Sequence, residues 1–137
     1  MKFAVRTLLG VVAGMALAFV LVVAVEMFSA VVHPIPDGFT GTVPDHVRAY
    51  PAWVLAVVVL MWGATIAAAT WAAARLGGMP AGVVVALLLA WALVANLVML
   101  PYPLWFELAM GLAFPMACVL GLRRRADRRQ SEASTAL

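Results

Sequence analysis

Apolar positions in this chain come in long unbroken runs. Residues 7–25, 52–74 and 79–100 contain no charged side chain, and 104–122 contain only Glu107. A helix rises about 1.5 Å per residue, so about 20 apolar residues cross about 30 Å of hydrocarbon. The pattern predicts an all-α integral membrane protein with four spans, over about residues 5–32, 52–75, 80–100 and 103–122. Residues 1–122 then form one transmembrane domain.

The breaks between the runs carry turn chemistry. Gly77-Gly78-Met79-Pro80 pairs a helix-capping glycine with a proline suited to a first helical turn. Pro101-Tyr102-Pro103 makes the last connection. Both are too short for a diagonal crossing, so the second, third and fourth spans are expected as sequential antiparallel neighbours in an up-down-up-down four-helix bundle. The loop over residues 33–51 is longer. His33-Pro34-Ile35-Pro36-Asp37-Gly38 must be partly extended, because each proline pushes its predecessor out of helix. Thr42-Val43-Pro44-Asp45 has the form of a helix start, which predicts a short surface helix to about Tyr50.

Charge orients the bundle. Of nine Lys and Arg residues, only Arg48 falls on the side of the 33–51 loop. The positive-inside rule places both termini in the cytoplasm and that loop outside (N-in/C-in). Phe28, Phe39, Tyr50, Trp53, Tyr102, Trp105 and Phe106 then form an aromatic belt at the outer interface. Lys2 and Arg6 mimic a signal-peptide n-region, but the 19-residue run after them is longer than a signal core, so the first helix is expected to be retained. Arg123, Arg124, Arg125, Arg128 and Arg129 read as a stop-transfer cluster that attracts anionic headgroups, not nucleic acid. The tail over 123–137 is expected to be a disordered cytoplasmic segment.

Composition narrows the chemistry. The chain is 66% hydrophobic and 11% charged, which leaves no room for a soluble domain beside four spans. One cysteine, Cys118, excludes an intrachain disulfide and a Cys-x-x-Cys site. No phosphate loop, cofactor motif or Ser/His/Asp set is present, and no catalytic, cofactor or metal site is assigned. The eight Met read as apolar filler rather than copper ligands. Helices in lipid associate through small residues, and three such seams stand out: Gly10, Gly14 and Ala18; Gly82, Ala86 and Ala90; Ala109, Ala113, Ala117 and Gly121. Pro115 lies inside the fourth span, where a bend is expected.

Polar residues inside the spans are few, and they share a depth. Glu26, Asn96 and Glu107 each fall within about 5–10 Å of the outer boundary. His33 follows Glu26 by seven residues, close to the same helix face, with Ser29 on that face and His46 in the loop above. A carboxylate at such depth faces the bundle interior, pairs or is neutralised. Glu26, His33, Asn96, Glu107 and His46 are therefore the candidate proton, cation or ligand site. The structural alternative is a neutral Glu bonded to Asn96 or to backbone carbonyls, or a Glu107 that simply reaches the interface.

Glu26, His33-Pro34-x-Pro36, Pro51 and Trp62-Gly63 in that order resemble a group of small, uncharacterised bacterial membrane proteins with four transmembrane helices. The resemblance implies a bacterial inner-membrane protein with Glu26 and His33 as the positions of interest, and it implies no substrate. The leading functional expectation is a non-enzymatic protein that acts by association with itself or with a larger membrane system. The alternatives are a proton- or divalent-cation-linked transporter or channel subunit, and a membrane enzyme using Glu26 and His33 as acid and base.

Overall fold

The computed structural model describes the backbone of residues 2–135 and the side chains of residues 2–123. The described chain is all helix, without strands: α1 (Lys2–Val32), α2 (Val43–Arg48), α3 (Ala52–Gly77), α4 (Met79–Met99) and α5 (Leu104–Thr135). Four of these helices are long and apolar enough to cross a membrane, α5 through its Leu104–Arg123 part, so the chain has the form of a multi-pass membrane protein. Their outward faces carry large apolar side chains such as Phe19, Leu60, Trp91, Val98 and Leu112, a surface suited to lipid.

The predicted turns form for the expected reasons. Gly78 alone separates α3 from α4, with φ 97°, a conformation that favours glycine. Its N–H donates to Ala74 O at 3.0 Å. From α1, Arg6 Nε donates to Leu76 O at 2.9 Å and Thr7 Oγ1 to Gly77 O at 3.3 Å, so the last carbonyls of α3 are satisfied by side chains. α2 starts at the predicted cap: Asp45 Oδ2 accepts from Thr42 N–H at 3.0 Å and from Thr42 Oγ1 at 2.7 Å. The same bonds, reinforced by Arg48 at 3.2 Å, hold the Asp45 carboxyl below its usual range. In α3 the buried Thr70 hydroxyl donates to Ile66 O at 2.7 Å, which leaves no free polar atom on that face.

α3 is the hub, touching α1, α4 and α5, while α1 and α5 do not meet among the described residues. α5 lies mainly against α3 and only lightly against α4, so the neighbour relation expected between the last two spans is the weaker of its two contacts. Near Gly77 the helices approach closely. A Cβ at Gly10 would strike the Gly77 backbone, and one at Gly82 would fall 2.7 Å from Leu122 Cδ2 and 2.8 Å from Ala74 Cβ. Gly121 meets Thr70 and Ala67 in the same way. Gly10, Gly14, Ala18, Gly82, Ala117 and Gly121 are all buried, so the small-residue seams are used inside this one chain. Ala86, Ala90, Ala109 and Ala113 are half-buried.

The core divides by bulk. Toward the Gly77 end it is built of Ala18, Ala69, Ala73, Ala81 and Ala117 around Ile66, Val85 and Leu89. Toward the α2 end it is Val25, Val54, Leu55, Val58, Leu93, Phe106 and Met110. Larger side chains hold helices farther apart, so the bundle widens toward α2.

α5 runs as helix beyond its spanning part, over residues 123–135 to Thr135. That segment has no Gly or Pro to end a helix already formed, and Arg, Ala, Gln and Glu propagate one. The side chains of Arg124, Arg125, Arg128 and Arg129 lie outside the described residues; Arg123 is exposed. Pro115 sits within α5 without interrupting it.

Candidate functional site

The wide end of the bundle encloses a cavity of about 200 Å³. Every helix contributes to its wall. α1 supplies Val25, Glu26 and Ser29, α2 supplies Val43, His46 and Val47, and α3 supplies Leu55, Val58 and Trp62. Leu93 and Asn96 come from α4, Phe106 and Met110 from α5, and Tyr50, Leu100 and Tyr102 from the connections.

Helical spacing explains the selection. Val25, Glu26 and Ser29 fall at i, i+1 and i+4, one face of α1. Leu93 and Asn96 are three apart on α4, and Phe106 and Met110 four apart on α5. Glu26 reaches the cavity wall while staying exposed, whereas Ser29 and His46 are buried. α2 lies over the cavity and turns His46 and Val47 inward.

The candidate residues thus separate. Glu26, Asn96 and His46 line one cavity. His33 stands beside it: its ring stacks on His46 with centroids 4.8 Å apart and planes 15° apart, and it meets Tyr50 at 4.8 Å. His33 Nε2 is buried without a hydrogen-bond partner. Glu107 is not part of the cavity wall. One residue along a helix is a turn of about 100°, and Phe106 and Met110 take the inward direction on α5. Glu107 is left half-buried on the flank. Equal depth therefore did not make equal direction.

Two polar side chains of the cavity, Glu26 and Asn96, are not spent on each other. Among the described residues neither Glu26 nor Asn96 makes a side-chain hydrogen bond or ion pair. The Glu26–Asn96 bond of the structural alternative is not formed, and Glu26 and His33 are not bonded as an acid–base pair. Burial pushes the Tyr102 phenol up to about 12, helped by the negative charge of Glu26 and by Tyr50. Burial and Glu26 also raise Tyr50 above its usual value. No group of three His, Cys, Asp or Glu among the described residues is placed to hold a metal ion.

The sequence reading missed Tyr50 and Tyr102 as cavity residues and assigned both to the interfacial belt. Each adjoins proline, in Tyr50-Pro51 and Pro101-Tyr102-Pro103, where the chain turns back over the bundle end. That placement was the available signal. No protein-family model, curated protein or solved structure matches this chain.

Proposed function

We propose that this is a bacterial inner-membrane protein that binds a small solute from the outer side, in the cavity beneath α2. In this reading both termini are cytoplasmic, the four spans run up-down-up-down, and α2 lies at the outer face. Eight of nine basic residues on one side support the orientation. The resemblance to small four-helix bacterial proteins, with Glu26 and His33 as marked positions, fits the same placement.

One observation carries the binding reading: a cavity of about 200 Å³ walled by every helix, with Glu26 and Asn96 in its wall and neither bonded among the described residues. Unpaired polar atoms inside a membrane protein are costly, and they recur where a solute or ion path needs them. The cavity suits the binding stage of a solute-handling protein better than a purely associative role, because the glycine seams that favoured association are already buried within the chain.

The test uses single cysteines in a Cys118→Ser background and a membrane-impermeant thiol reagent on intact cells. Ser29→Cys reports the cavity wall, Thr40→Cys the 33–51 loop, and Ser131→Cys the C-terminal segment. Labelling at 29 and 40 but not at 131 is expected. Labelling at 40 alone refutes outward access to the cavity, and labelling at 131 alone refutes the orientation.

A further inference from the structure

We propose that the cavity takes a small organic monocation, an alkylated ammonium of about the size of choline. The inference rests on the cavity reading above and names its ligand class.

Charge gives the sign. Glu26 is the only charged side chain in the wall, and no Lys or Arg shares it. The carboxylate has no partner among the described residues, so the cavity presents one negative charge with nothing to balance it. A cation of charge one supplies that balance. A bare metal ion does not suit the site, because one carboxylate and one imidazole leave most of its coordination sphere empty.

The remainder of the wall gives the chemical character. Tyr50, Trp62, Tyr102 and Phe106 bring four aromatic rings to one cavity. Aromatic rings attract cations through their electron-rich faces, most usefully cations whose methyl groups make them cheap to dehydrate. Leu55, Val58, Leu93 and Met110 offer apolar contact to those methyl groups and little to a hydrated inorganic ion. Asn96 remains free to bond a hydroxyl or amide on the ligand.

Size gives the limit. A cavity of about 150 Å³ accepts benzene. At about 200 Å³ this one has room for about seven or eight non-hydrogen atoms, which admits choline or tetramethylammonium and excludes bulky multi-ring cations.

The experiment is equilibrium binding of radiolabelled choline to the full chain in detergent, at fixed ionic strength. Tetramethylammonium and 3,3-dimethylbutan-1-ol, the uncharged carbon isostere of choline, serve as competitors. Saturable binding is expected, displaced by tetramethylammonium and not by the isostere at equal concentration. Glu26→Gln keeps the side-chain size and should raise the Kd about tenfold or more, while Glu107→Gln should leave it unchanged. Both variants are first shown to elute as a single species with full helicity. If Glu26→Gln does not keep its fold, Trp62→Leu replaces it as the binding variant and should also weaken choline. Displacement by the isostere as effective as by tetramethylammonium, or binding that survives Glu26→Gln, overturns the proposal. Absence of choline binding with Ser29→Cys still labelled from outside overturns the cation class and leaves the cavity reading standing. Absence of both overturns both.

Discussion

The α1–α3 crossing brings two helix backbones into close approach, and it makes a sharp quantitative claim. A Cβ added at Gly10 meets Gly77 Cα, lies 2.5 Å from Gly77 N and 2.8 Å from Ala73 O. All three are backbone atoms of a helix, so no side chain can rotate out of the way. Gly10→Ala must push α1 from α3 and loosen the Arg6 and Thr7 bonds to the α3 terminus. Overpacking of this kind costs about 1–3 kcal/mol. Gly63, on the same helix as Gly77, is the control: a Cβ there meets nothing within 4 Å. Gly63→Ala should gain up to about 0.5–1 kcal/mol by removing a flexible residue from a helix. The two alanines therefore differ in sign and by about 1.5–4 kcal/mol, about tenfold to several hundredfold in the folded-to-unfolded ratio. Titration with a denaturing detergent in mixed micelles, followed by helicity, reads the difference as a shift in midpoint. Gly77→Ala should match Gly10→Ala, and the double variant should cost less than their sum, since the first already separates the helices. Equal midpoints for Gly10→Ala and Gly63→Ala would refute the close crossing and the tapered bundle with it.

Two further outcomes test the wide end. Tyr102 carries a phenol raised to about 12 in the fold, against 10.0 as its ordinary value. Between those values the folded state holds a proton that the unfolded chain has lost, so stability is intact below about pH 10 and falls as pH rises through 12. Thermal midpoints across that window should decline less for Tyr102→Phe than for the parent chain, and identical slopes would remove Tyr102 from the cavity. His33→Phe retains a ring against His46 and Tyr50 and deletes the unpartnered Nε2. A buried unsatisfied nitrogen costs about 1–3 kcal/mol, so the variant should be as stable as the parent or more so. A clear loss in the same detergent titration would mean that Nε2 has a partner.

The spans and turns were legible because each rests on local chemistry. Uninterrupted apolar runs set the helices, Gly78 and Pro80 the tight turn, and Thr42 with Asp45 the start of α2. The packing order was only half legible. Short loops force α3, α4 and α5 to be near one another, but they do not decide which pair makes the larger interface, and α3 took it because its Ala and Gly faces admit two partners closely.

The site was legible only in part. Counting residues from the ends of the runs placed Glu26, Asn96 and Glu107 at one level, and two of the three do line one cavity. Direction depends on helix rotation, which follows from where the bulky core residues point. On α5 those are Phe106 and Met110, and their inward claim displaces Glu107 to the flank. The void itself arises from a difference between the ends. Alanine and glycine draw the helices together near Gly77, valine, leucine, phenylalanine and methionine hold them apart near α2, and no single residue marks the gap. The same division suggests where the cavity can be altered without touching its wall. Ala18→Val, in the core cluster that also holds Ile66 and Val85, should wedge the helices apart at the tight end. Forced separation there costs about 1–3 kcal/mol at a residue outside the cavity wall, so the fold weakens while choline binding persists. If the cavity were instead a packing defect with no ligand, Leu93→Phe, which fills it, would stabilise the chain with nothing lost. If the cavity is a binding site, the same change abolishes choline binding whatever it does to stability. Running both variants through the detergent titration and the binding assay separates a gap left by poor packing from one the bundle holds open.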